Sequence, residues 1–235
     1  ERDFSAHLPE FKEAVGEALE ELKEETINAF DFVGKQSLDH IHAGATILTY
    51  GASADVELFF RAAARRRAFH VVVAEGEGWR ESHAMASRLA AKGVGTTVVP
   101  DSAIYAVMQR CNQVVLAARA VMADGAAVAT GGALMAAVAA KDFALHVVAV
   151  APSFSLSPLF AHTQPWLQDA RGPPTPAAAA VVEEGVEVMS APLDHIPPEL
   201  VDLYLTSGGG ITPSYVYRIL SDTYHPDDHD FSANV

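Results

Sequence analysis

Short apolar runs rich in valine punctuate this chain at residues 46–49, 70–74, 95–99, 113–117, 145–151, 186–189 and 203–206. Amphipathic stretches separate them at 54–67, 81–92, 102–108, 131–141 and 213–221. Runs such as "VVVA" and "VVLA" are apolar throughout rather than alternating, the pattern of strands covered on both faces. Strands of that kind need helices on either side of a parallel sheet, so the spacing predicts a doubly wound α/β architecture. Boundary residues support the register. Asp101 is placed to cap a helix starting at Ser102, and Gly93 follows Lys92 as a helix-ending glycine should.

Ahead of these units the chain is charged and periodic. Phe11, Val15, Leu19, Leu22, Ile27 and Phe30 recur at helical spacing among glutamates and lysines, which predicts one long amphipathic helix over 11–41, with Gly34 the place for a break. The tract "DARGPPTPAAAA" at 169–180 has no apolar period and reads as a surface loop. The stretch "ILTYGAS" at 47–53 reads as a strand turning tightly into a helix. In open parallel sheets ligands sit at such carboxyl ends, and helix N-termini there attract anions.

Half of the 235 residues are hydrophobic, enough for a sizeable core. Thirty Asp and Glu against sixteen Lys and Arg give a formal charge of −14, which argues against a nucleic-acid partner over most of the surface. The single cysteine, Cys111, has no second cysteine to pair with and fits a reducing compartment, the cytoplasm by default. No apolar stretch reaches the eighteen or so residues of a membrane span, since even 125–140 falls short, and no signal-peptide pattern precedes the first charges.

Several side-chain groups invite a chemical reading. His225 and His229 stand among Asp227, Asp228 and Asp230, a density that would suit a divalent ion, but an acidic solvated chain end explains it more simply and no metal is expected. His40 and His42 are weaker still. Arg65, Arg66 and Arg67 end a helix, where the macrodipole alone accounts for cations. "TSGGGI" at 206–211 lacks the Lys-Ser or Lys-Thr of a phosphate loop and reads as a tight strand-to-helix turn. Cys111, with no histidine partner in view, reads as a packed thiol.

Four stretches together carry a resemblance: "ILTYGASADVELFFRAAARRRAFHVVVAE", "TTVVPDSAIYAVMQRCNQVVLAARAVMADGA", "VVAVAPSFSLSP" and "PPELVDLYLTSGGGITPSYVYRILSDTYHPDD". From about His40 to Asp228 the chain resembles the regulatory alpha/beta/delta subunit family of eukaryotic translation initiation factor 2B, the last stretch being most similar to its beta branch. The resemblance implies a Rossmann-like regulatory domain over 44–235. It implies that residues 1–43 are the end of a helical N-terminal domain together with a linker helix.

The same fold serves sugar-phosphate isomerases such as methylthioribose-1-phosphate isomerase. Aligned with them, the catalytic cysteine position falls on Gly51, next to Tyr50, and the catalytic aspartate position on Arg119. The phosphate-gripping Thr-Arg-Pro becomes Gly76, Glu77 and Gly78 after Glu75, and the Asn-Lys pair becomes Ala129 and Thr130. Nucleophile, carboxylate and cationic phosphate ligands are all replaced, so neither catalysis nor a cofactor is expected.

The resemblance implies a scaffold subunit of the guanine-nucleotide exchange factor for initiation factor 2. Delta and alpha subunits would be its neighbours, gamma and epsilon the exchange arms, and the alpha subunit of initiation factor 2 a ligand. The competing readings are a sugar-phosphate isomerase and a sensor holding a phosphorylated metabolite in the old pocket. For contacts between subunits the candidates are Tyr215, Tyr217, Arg218 and Tyr224, with His83 in the first turn of a helix opened by Glu81.

Overall fold

The computed structural model describes residues 8–76, 78–160 and 191–225. Glu77, the expected strand at 186–189, the Pro/Ala tract at 169–180 and the cluster from Asp227 to Asp230 lie outside the described residues.

Helix α1 (Leu8–His40) runs without the break expected at Gly34. The missing side chain there serves packing instead: a Cβ on Gly34 would lie 3.4 Å from that of Ala62, so the glycine lets a second helix approach. Near its end α1 buries Val33 and Ser37, and Ile41 follows them into the core, whereas Leu19, Leu22 and Ile27 farther up remain exposed. Periodicity reports an apolar face; what covers it is a separate matter.

Beyond α1 the chain alternates as expected: β1 (Thr46–Tyr50), α2 (Ala54–Ala64), β2 (His70–Ala74), α3 (Trp79–Ala90), β3 (Gly95–Val99), α4 (Ile104–Met108) and β4 (Gln113–Ala117). There follow β5 (Ala120–Val121), β6 (Ala127–Thr130), α5 (Ala133–Asp142), β7 (His146–Val150), β8 (Leu193–Ile196), β9 (Leu203–Thr206), β10 (Gly209–Ile211) and α6 (Val216–Thr223). A seven-stranded sheet has the order β10-β9-β7-β4-β1-β2-β3. All its pairings are parallel except β10 with β9. Counting β7 and β9 as fifth and sixth gives the doubly wound order, with its switch point between β1 and β4.

Because side chains alternate across a strand, neighbouring valines of one run enter different layers. Leu48, Tyr50, Val72, Val114 and Leu116 pack under α4, α5 and α6. Ile47, Val71, Val73, Val115 and Val148 pack under α2, α3 and the end of α1. A buried carboxylate ties two helices of the second layer: Glu57 on α2 accepts from Arg88 Nε at 3.0 Å and Nη2 at 2.7 Å.

Some expectations need correction. "TSGGGI" is not a strand-to-helix turn but a hairpin, Thr206 pairing with Gly209 across a two-residue loop, with Thr206 Oγ1 donating to the Gly209 carbonyl. Strands β5, β6 and β8 form a small antiparallel sheet that the apolar runs do not announce, because alanine dominates β6 and charge interrupts β8. Helix α3 opens at Trp79, not Glu81, since Ser82 Oγ donates to the Glu75 and Gly78 carbonyls and draws the earlier turn in. Gly93 has the expected positive φ of 84°.

Candidate functional site: a filled crevice at the switch point

At the carboxyl ends of its strands, beside the switch point, a doubly wound fold normally leaves a crevice, and helix N-termini there favour an anionic ligand. Here the chain's own groups occupy it. The ring of Tyr50, 6% exposed, lies across the end of β1, and its hydroxyl donates to Asp101 Oδ2 at 2.9 Å. The other oxygen of Asp101 accepts the Gly76 N–H at 2.8 Å. Asp101 is therefore not the helix cap expected from sequence, and the short 3₁₀ turn that it begins has no side-chain cap. Its carboxylate instead joins two strand-end loops.

The helix N-terminus nearest this point is also satisfied internally. Gly132 precedes α5 with φ of 99°, and its N–H donates to Asp194 Oδ2 at 2.7 Å, as does the Leu134 N–H at 2.9 Å. A carboxylate from β8 thus takes the donors and the favourable dipole end that a substrate phosphate would use. At the other turn, Ser53 Oγ accepts the Val56 N–H at the start of α2. Gly132 approaches Tyr50 so closely that a Cβ on it would lie 1.8 Å from the tyrosine oxygen.

Of the residues singled out from sequence, Tyr50, Gly51 and Gly76 come together: a Cβ on Gly76 would stand 3.5 Å from Gly51 Cα. Glu75 turns toward α3, where Oε1 sits 2.7 Å from His83 Nε2. His83 lies one turn into α3 rather than in its opening turn and packs edge-on against Trp79 at 5.6 Å. Arg119 is exposed between β4 and β5, its backbone N–H bonded to the Val128 carbonyl. Ala129 and Thr130 belong to β6. Asp194 and Gly132 escaped sequence reasoning. Gly131-Gly132 ahead of an alanine-rich helix hints at a close approach, but nothing local indicates a carboxylate some sixty residues later.

The aromatic set divides. Val216 and Leu220 bury one face of α6, leaving Tyr217 57% and Tyr215 44% exposed, with Arg218 over the Tyr215 ring at 5.6 Å. Tyr224 packs against the core and donates to the Leu156 carbonyl at 3.2 Å, which makes it a contact within the chain.

Cys111 is buried, with Sγ 3.5 Å from the Val107 carbonyl, and burial pushes its thiol up to about 11. The expected result with a disulfide reagent at pH 8 is labelling of native protein roughly a hundredfold slower than of unfolded chain, read by absorbance with and without denaturant. Equal rates would show that the thiol is not packed. Among the described residues no group of three or more His, Cys, Asp or Glu is arranged to hold a metal, and no helix is long and apolar enough to cross a membrane.

The chain is 42% identical over 200 residues to translation initiation factor eIF2B subunit beta of Schizosaccharomyces pombe, covering 82% of this chain and 50% of that one. It is 36% identical over 228 residues to the corresponding subunit of Dictyostelium discoideum, covering 96% and 59%. The chain thus spans between half and three-fifths of the length of these relatives. The crystal structure of eIF2B beta from Chaetomium thermophilum superposes with a TM-score of 0.76 at 28% identity, covering 93% of this chain and 60% of that one. The profile of the Initiation factor 2 subunit family matches residues 2–213, and the chain belongs to that family.

Proposed function

We propose that the chain is a non-catalytic regulatory subunit of the exchange factor for initiation factor 2, built to assemble rather than to turn over a substrate. The observation that carries this reading is the filled crevice. Asp101 and Asp194 take backbone donors that a phosphorylated substrate would need, and Tyr50 occupies the space beside Gly51. Two fixed carboxylates also oppose an incoming phosphate by charge. In this reading residues 1–43 are the end of a helical domain, delta and alpha subunits are direct neighbours, and gamma and epsilon carry the exchange activity. The alpha subunit of initiation factor 2 is the regulated ligand. A solved relative, the tetrameric eIF2B beta2-delta2 complex from C. thermophilum, is similar at a TM-score of 0.74 and 28% identity, covering 90% of this chain and 65% of that one. The formal charge of −14 favours a basic ligand surface and disfavours one that has gained a phosphate.

The exposed side of α6 is the proposed contact, since Tyr217, Tyr215 and Arg218 supply the residue types that dominate interface energetics. Co-expression with a delta subunit, followed by mass measurement, is expected to show a stable hetero-oligomer. Tyr217→Ala or Arg218→Ala is expected to weaken it about tenfold or more with an unchanged circular dichroism spectrum. Unchanged assembly in both variants would remove α6 from the interface, and no assembly of the parent chain would remove the scaffold reading.

His83 remains a proposed contact residue near the carboxyl edge. Its ring is already held within the subunit by Glu75, with Nε2 2.7 Å from Oε1.

A second reading rests on ribose 1,5-bisphosphate isomerase of Archaeoglobus fulgidus, 23% identical over 219 residues and covering 88% of this chain and 70% of that one. It requires catalytic groups where Gly51 and Arg119 stand.

A further inference from the structure

On the opposite layer from the filled crevice, α1 and α2 enclose an open groove of about 560 Å³, lined by residues 31–38 of one helix and 58–66 of the other. It is cationic in a strongly acidic chain. Arg61, Arg65, Arg66 and Lys35 line it against a single carboxylate, Asp31, and Lys92 adjoins Arg61 and Arg65 in a neighbouring depression.

The macrodipole at the end of α2 accounts for cations in its last turn, but not for Lys35, which belongs to the other helix. Nor are the charges all spent on structure. Arg67 is: it donates to the Ile41 carbonyl and closes the end of α1 onto α2. Arg61 is partly engaged, with Nη1 3.7 Å from Glu57, a carboxylate that Arg88 already holds by two nitrogens. Arg65 and Arg66 are exposed, and Lys35 Nζ rests over the Phe32 ring at 4.8 Å rather than on a carboxylate.

A separate observation points to a ligand. Ser37 lines the same groove, is wholly buried, and its hydroxyl has no hydrogen-bond partner among the described residues. A serine inside a helix ordinarily donates back to a carbonyl one turn earlier or faces water; this one does neither. The guanidinium and ammonium groups lining the groove match the acceptor oxygens and charge of phosphate groups, and the enclosed Ser37 hydroxyl beneath them is an unused donor that a small side-chain shift would open to a ligand. Gly34 and Ala62, the small residues at the helix contact, keep the base of the groove clear of bulky side chains.

We propose that this groove binds a small anion carrying two or more phosphate groups, at a place separate from the switch-point crevice and independent of the scaffold reading. Guanidinium groups on one helix and the Lys35 ammonium on the other would clamp the anion, so binding would also fasten α1 to the sheet domain.

The test is isothermal titration calorimetry of the whole chain with inorganic phosphate, pyrophosphate and tripolyphosphate, with sulfate at matched ionic strength as the control. The expected result is saturable one-site binding that tightens along the phosphate series and exceeds sulfate. The Arg65→Gln/Arg66→Gln double variant should bind tripolyphosphate at least tenfold more weakly, Lys35→Gln severalfold more weakly, and Arg110→Gln, an exposed arginine away from the groove, as tightly as the parent. Ser37→Ala, which deletes only the enclosed, unpartnered hydroxyl, should weaken binding severalfold while keeping the circular dichroism spectrum. Absence of saturable heat to millimolar tripolyphosphate, affinity no better than sulfate, or equal affinity in the double variant would overturn the proposal.

Discussion

Gly132→Ala is expected to destabilise the fold by about 3–5 kcal/mol, measured by urea unfolding. Two independent causes add. The backbone at Gly132 has φ of 99°, a region that costs an L side chain roughly 1–2 kcal/mol. The new Cβ would also stand 1.8 Å from the Tyr50 oxygen and 2.2 Å from its ring carbon, inside any tolerable contact. Relief requires the Tyr50 ring to leave the crevice, which breaks its bond to Asp101, or α5 to move off Asp194, which uncaps the helix. The contact itself makes the prediction specific. Tyr50→Ala alone is expected to cost about 3–5 kcal/mol as a large-to-small change in the core. The double variant Tyr50→Ala/Gly132→Ala should cost clearly less than the sum, because the overlap is gone. Strict additivity would mean that the two residues do not touch.

Tyr204→Ala is expected to cost a similar amount, about 3–5 kcal/mol, and Tyr204→Phe about 1–2 kcal/mol. Tyr204 is fully buried on β9, and its hydroxyl donates to the Gly125 carbonyl at 2.8 Å. Burial, with the Asp124 charge nearby, raises its pKa far above the ordinary phenol range, which keeps the hydroxyl a donor. Gly125 in turn lies against Pro213, where a Cβ would meet the proline carbonyl at 2.5 Å. Tyr204 thereby sets the turn on which the segment leading into α6 rests. Loss of the hydroxyl alone should lower the urea midpoint and also loosen presentation of Tyr217. A Phe variant with parent stability would show that the Gly125 carbonyl finds another donor.

Residues that report on their own neighbourhood were legible in the chain. Valine runs at 70–74 and 113–117 became β2 and β4 because a doubly covered strand has no alternative to an apolar sequence. Gly93 ended its helix, and Cys111 was a packed thiol. What depended on distant partners was not legible. Asp101 has the spacing of a cap, yet a tyrosine fifty-one positions earlier and the Gly76 N–H offer its carboxylate better donors than one exposed helix turn. The glycines at 208–210 fit a turn of either kind, and the preceding Thr206 hydroxyl, bonded to the Gly209 carbonyl, selects the hairpin. The same limit applies to the site. The replaced residues Gly51 and Arg119 imply that chemistry has been lost, whereas the groups that now close the crevice, Tyr50, Asp101 and Asp194, meet only through the fold.

The most direct test of the claim that this crevice is filled and inactive is a ³¹P NMR time course of ribose 1,5-bisphosphate with the purified chain. An unchanged set of phosphorus resonances is expected at protein concentrations high enough to detect a few turnovers. Growth of product resonances above the protein-free control, retained by a folded Arg119→Gln variant and abolished by heat denaturation, would contradict it.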